Sequence, residues 1–153
     1  MRLVTSNSGT ISVPITASGI GPLSKATFSV DGSACNTDNA STTVGIDHTW
    51  VGDLVGTLIS PAGTSVALFD RVGSDGNNMC QAVFDDAAAD SINDVTDEDA
   101  PFTGTWQPSE PLLSLAGESA DGTWEFHVVD AAPLDKGSVR SVSLHLTGFV
   151  PPT

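Results

Sequence analysis

The chain has 153 residues, with 19 acidic against 5 basic side chains and a formal net charge of −14. Such a surface repels phosphate backbones and anionic headgroups, which excludes nucleic acid and anionic membranes as partners. No stretch approaches the ~20 consecutive apolar residues of a membrane-spanning helix, so no membrane insertion is expected.

Fifteen Gly, nine Pro and no Tyr, among abundant Ser and Thr, favour short strands joined by tight turns within one domain. In chain order, "TISVPITA" (10–17) and "SKATFSV" (24–30) read as two early strands. "TTVGIDHTW" (42–50) sets Val44, Ile46, His48 and Trp50 on one face, and Thr43, Asp47 and Thr49 on the other. "LVGTLIS" (54–60) and "TSVALFD" (64–70) flank "PAG", where Pro presets φ and Gly supplies φ > 0, and so form a hairpin. "MCQAVFD" (79–85) is a further strand, followed by a long irregular stretch rich in Asp, Pro and Gly; within it "DDAAADSI" (85–92) is expected to form one turn of helix at most. Loops of that length in a compact domain are functional or held by something. "TWEFHVVD" (123–130) buries Trp124, Phe126 and Val128. "GSVRSVSLHLTGF" (137–149) reads as one last strand burying Val142, Leu144 and Leu146 and exposing Ser143, His145 and Thr147. About eight such strands predict an all-β, antiparallel, jelly-roll-like β-sandwich. One domain covers 1–153, with 1–9 and 149–153 read as linker or chain ends, and Met1 running straight into strand-like sequence suggests an excised piece.

Two cysteines, Cys35 and Cys80, in an acidic, loop-rich chain point to a disulfide and an oxidising, extracellular compartment. "GTSVA" (63–67) resembles the nucleophile segment of subtilisin-like serine proteases, which raises Ser65 as a catalytic serine. A nucleophile needs a base and an orienting carboxylate. Asp47 and His48 are adjacent in a strand, where successive side chains point to opposite faces. Ser65 is therefore expected to be an ordinary hairpin residue, and no catalytic residue is assigned. His48, on the apolar face, is expected in the core with a hydrogen-bond partner. His127 and His145 would make a zinc site only if they faced each other across paired strands, and no third ligand stands beside them.

Four blocks carry a family resemblance: "HTWVGDLVGTLISPAGTSVALFD" (48–70), "AVFDDAA" (82–88), "APFTGTWQPSEPLLSLAG" (100–117) and "GTWEFHVVDAAPLDKGSVRSVSLHL" (122–146). In that order they resemble the P domain (P/Homo B), which follows the catalytic domain in kexin- and furin-type proprotein convertases and in many secreted bacterial subtilases. The resemblance covers about two thirds of the chain. It implies a jelly-roll, galactose-binding-domain-like sandwich without catalytic activity. It also implies a supporting role for a neighbouring protease domain in the same chain, secretion, and calcium as a cofactor. "DGSACNTDNAST" (31–42) departs from the family pattern and reads as a local elaboration. Trp50, Trp106 and Trp124 read as large apolar anchors of the core or its ends.

Asp85, Asp86, Asp90, Asp94, Asp97, Glu98 and Asp99 crowd seven acids into fifteen residues. Like charges at that density repel unless a cation intervenes, and Ca²⁺ takes six to eight oxygens. The spacing is not that of an EF-hand. The ligands expected are Asp85 and Asp86, joined by some of Asp47, Asp53, Asp90 and Asp130; the plain alternative is a solvated loop that confers solubility. The reading of function is a non-catalytic P domain assisting the folding and stability of an adjacent, subtilisin-like or other secreted protease domain. Its rival is a free-standing, calcium-dependent adhesive or carbohydrate-binding module, for which Trp106 is the aromatic best placed.

Overall fold

The structure, a computed structural model, describes residues 3–5, 9–132 and 136–149. Two four-stranded sheets lie face to face. The first has the order β2-β9-β5-β6, formed by β2 (Thr10–Ala17), β5 (Leu54–Ile59), β6 (Ser65–Asp70) and β9 (Gly122–Asp130). The second has the order β11-β3-β7-β8, formed by β3 (Leu23–Val30), β7 (Ala82–Phe84), β8 (Gly104–Trp106) and β11 (Val142–Gly148). A small third sheet at one end joins β1 (Leu3–Thr5), β10 (Gly137–Val139) and β4 (Ile46–His48) in the order β1-β10-β4. All pairings among these strands are antiparallel except β7 with β8, which run parallel.

Aromatic rings join the two large sheets. Phe28 of β3 meets Phe126 of β9 with centroids 4.6 Å apart, and Phe69 of β6 meets Phe84 of β7 at 5.8 Å. Alternation along β9 puts Trp124, Phe126 and Val128 wholly inside, as the sequence pattern requires. The Trp124 indole N–H donates to the Ala120 carbonyl at 2.9 Å, so burying the ring strands no polar atom. The β5–β6 hairpin turns at Pro61–Gly63 as expected, and Gly56 of β5 leaves room for Phe69, whose ring would lie 2.4 Å from an added Cβ.

Four expectations need correction. The segment 137–149 is two strands: the N–H groups of Arg140 and Ser141 both donate to the Gly45 carbonyl, which turns the chain from the small sheet into the large one. Trp50 is 42% exposed, because β4 ends at His48 and a 3-10 turn (Val51–Asp53) follows, so strand alternation no longer applies. Asp47 is buried, because β4 is flanked by β10 on one side and Met79 on the other. His127 and His145 lie on β9 and β11, in different sheets, and so do not face each other across paired strands.

The long stretch after β7 is held by apolar plugs. Ile92, Phe102, Leu112, Leu115 and Ala120 are buried, and 3-10 turns occupy Ile92–Asp94, Asp97–Asp99 and Leu112–Leu115. A capping box between Thr96 and Asp99 closes the second of these turns.

Candidate functional site

Asp85 and Asp86 follow β7 directly, and each is taken up by protein donors. Asp85 accepts the Ala87 N–H at 2.9 Å and meets the Lys25 ammonium at 3.0 Å. That N–H, and then Lys25, hold its carboxyl below the usual carboxylate value. Asp86 accepts the N–H groups of Leu112 and Leu113 at 2.9 and 2.8 Å, one on each oxygen. These open the Leu112–Leu115 turn, whose own N-cap residue, Pro111, provides no side-chain acceptor. Asp86 therefore caps that turn from a distant part of the chain. An apolar groove of about 310 Å³ runs beside it, lined by Leu23, Ala26, Leu112, Leu113 and Ala116, with Leu113 70% exposed.

A second polar centre sits where β4, β9 and the turn Val51–Asp53 meet. The Trp50 N–H donates to His48 Nδ1 at 3.0 Å, so that nitrogen carries no proton. The proton is on Nε2, which donates to Asp130 Oδ2 at 2.9 Å, and both side chains are fully buried. His48 is thus a neutral core histidine with a partner, as its place on the apolar face predicts. Asp47 accepts from Arg140 Nε at 2.5 Å, and Asp53 lies 4.0 Å from Arg71. Asp90 is exposed, and its carbonyl accepts the Gln107 N–H.

The six expected ligands are therefore spread over separate places, most of them engaged by a cation, an imidazole or backbone amides. Among the described residues no three of His, Cys, Asp and Glu converge as a metal site. As arranged, Asp47, Asp53, Asp85, Asp86, Asp90 and Asp130 do not fit one Ca²⁺ ion. Ser65 is an exposed residue at the start of the edge strand β6, paired with Ile59. Trp106 is half-buried, and its indole N–H donates to the Phe102 carbonyl at 2.8 Å.

Cys35 and Cys80 are joined, with Cα atoms 5.5 Å apart. The bond pins the loop that elaborates residues 33–43. Its base is closed where the Ser33 N–H donates to the Thr43 carbonyl at 2.9 Å. Beside the disulfide, Asn78 is 1% exposed and donates from Nδ2 to the carbonyls of Asn36 and Asp38 at 3.0 and 2.9 Å. Its Oδ1 accepts the His48 N–H at 3.1 Å, and Asn77 donates to the Thr37 carbonyl and to Asn39. Asn78 and Arg140 organise this end of the molecule, yet sequence reasoning passed over both. The signals were slight: an Asn-Asn pair ahead of a cysteine, and a lone Arg in an otherwise uncharged run.

The family model described as "Proprotein convertase P-domain" matches residues 37–146. A protein named "Calcium-dependent protease" from Trichormus variabilis is 36% identical over 111 residues, 70% of this chain and 13% of the relative. "Leupeptin-inactivating enzyme 1" of Streptomyces exfoliatus is 30% identical over 131 residues, 86% of this chain and 21% of the relative. The crystal structure of a serine protease of Aeromonas sobria superposes on 97% of this chain and 26% of its own, with a TM-score of 0.53 and 18% identity, a likeness of fold. The chain thus spans between an eighth and about a fifth of the curated relatives it matches. With a sandwich of this form and a match running from the disulfide loop to β11, the chain belongs to the proprotein convertase P-domain family.

Proposed function

We propose that this chain is a non-catalytic accessory domain of a secreted, subtilisin-like protease, and that it assists the folding and stability of a catalytic domain in the same polypeptide. The observation that carries this reading is the family match over residues 37–146, together with relatives named as a protease and as a leupeptin-inactivating enzyme. A sandwich joined by aromatic rings, with its longest early loop pinned by a disulfide, is a rigid body suited to support a neighbour. The groove beside the exposed Leu113 is the apolar patch we assign to the catalytic domain. The disulfide fits the oxidising compartment of a secreted protein.

The test is to read the coding sequence on both sides and to express the parent with and without residues 1–153. The expectation is a catalytic domain upstream, and loss of soluble, active enzyme on deletion. An intact, equally stable protease after deletion refutes the reading. Calcium, in the name of a relative reported above, enters as a separate proposal for which the described residues offer no ligand set. Isothermal titration with Ca²⁺ and a melt in EDTA test it, and an unchanged melting temperature in EDTA removes calcium from this domain.

A further inference from the structure

Each large sheet ends in two edge strands, and three of these four edges are blunted. On β6, the Ala67 N–H donates to the Glu110 carboxylate, and the N–H groups of Glu110 and Ser109 bond the carbonyls of Ala67 and Leu68. On β2, the register with β9 directs the backbone of Thr10, Ser12, Pro14 and Thr16 outward, and Pro14 has no N–H to offer. β8 is three residues long, and the chain beyond it is bridged to Ser91. β11 has none of these devices. It runs for seven residues, Val142–Gly148, without Pro, Lys, Arg, Asp or Glu.

The free side of β11 is regular from Val142 to Thr147, and the register shifts only between Thr147 and Gly148. The Asp31 N–H donates to the Ser141 carbonyl, and the register continues through Ser143↔Ser29, His145↔Thr27 and Thr147↔Lys25. Those pairs face β3, so the N–H and C=O groups of Val142, Leu144 and Leu146 point away from the sheet. Among the described residues nothing accepts or donates there. Beside this edge the sandwich is open: a cleft of about 390 Å³ between β2 and β11 is lined by Ile15, Ala17, Ile20, Leu144 and Leu146, together with Thr16 and His145. A strand added to β11 would send alternate side chains into that cleft.

Charge selects the occupant. Asp31 lies at one end of β11, where Ser143 donates to it, and Asp121 lies at the other, bonded to the N–H groups of Ile20 and Gly21 next to Gly148. Lys25, the cation on the neighbouring strand, is engaged by Asp85. A second copy of a chain with net charge −14 is repelled. We infer that β11 is a strand-addition site for an extended segment of a separate polypeptide, apolar at alternate positions and basic at both ends. The inference goes beyond the supporting role proposed above and stands without it.

The test uses the 153-residue chain and fluorescein-labelled nine-residue peptides that alternate valine and threonine between terminal lysines, or between terminal glutamates. The lysine-ended peptide is expected to bind saturably and to slow hydrogen exchange at the amides of Val142, Leu144 and Leu146 at least tenfold. The glutamate-ended peptide is expected to bind at least tenfold more weakly. Leu144→Lys, which places a charge in the half-open cleft, is expected to weaken binding at least tenfold while keeping a cooperative melt. Should that variant fail to fold, the exchange pattern of the unaltered chain decides. The inference is overturned by absence of saturable binding, by protection located away from β11, by equal binding of both peptides, or by sedimentation showing β11-dependent self-association.

Discussion

Replacing Asp130 with Ala removes the acceptor of the His48 Nε2–H in a place neither side chain shares with solvent. Because Trp50 donates to Nδ1, His48 is the neutral partner, and what the variant strands is one N–H. A buried donor left unmade costs about 1–3 kcal/mol. At roughly 2–4 °C per kcal/mol for a domain of this size, a midpoint of about 2 kcal/mol lowers Tm by about 4–8 °C. The converse variant, His48→Ala, leaves the Asp130 carboxylate buried without its donor and is expected to cost more, about 3–5 kcal/mol. The double variant should fall short of the sum by about 1–3 kcal/mol, since each substitution removes what the other strands. Urea unfolding of the four proteins at pH 7 measures this, with unchanged m-values showing that the two-state comparison holds. A coupling below about 0.5 kcal/mol, or an Asp130→Ala variant costing more than His48→Ala, refutes the assignment of a neutral, Nε2-protonated His48 to this bond.

Replacing Cys35 and Cys80 with Ser opens a loop of sequence separation 45, which costs about 4 kcal/mol in the chain-entropy account; a calorimetric loss near zero would refute it. Asp86→Ala uncaps the Leu112–Leu115 turn and should destabilise by about 1–2 kcal/mol, with faster amide exchange at Leu112 and Leu113 as the local signature. The Asp85 carboxyl is held lower in the folded chain than in the unfolded one, so its contribution is fully present above the unfolded value near 3.9. That contribution is lost as pH falls through the folded value. Asp85→Asn should therefore be less stable than the parent chain at pH 7 and converge with it in strong acid, and a gap that persists undiminished at pH 2 would contradict this.

Legibility in the sequence followed the range of the interaction. The alternation of β9 and the Pro-Ala-Gly turn of the β5–β6 hairpin depend on near neighbours, and both are visible without a structure. The core character of His48 is expected from the apolar pattern around it, although both faces of β4 are buried and Asp47 is enclosed as well. The break at Arg140 left one slight mark, the three-residue spacing from Val139 to Val142 where strict alternation needs an even one, and the turn itself is made by the distant Gly45 carbonyl. Trp50 misled for the opposite reason: its phase is correct, but the strand stops before it. The acids were legible as a group and not as individuals. Asp86 finds its donors 26 and 27 residues downstream, and Asp47 finds Arg140 at a separation of 93. Crowding in the chain thus says little about crowding in space: of the crowded acids, Asp85 turns to Lys25, Asp86 to the Leu112–Leu115 turn and Asp99 to the Thr96 N–H.

The tethers described above between the disulfide loop and the rest of the molecule converge on one short segment, Asn77–Cys80. The segment therefore acts as a socket, and the loop as a plug whose length the sandwich does not sense. Doubling the loop would add only about 0.6 kcal/mol of closure entropy. A foreign peptide inserted between Asn39 and Ser41, beyond the tethered residues, would then be displayed at the tip of a covalently anchored arm, with the two large sheets unchanged beneath it. This end of the molecule is a ready place for grafting an epitope or a label.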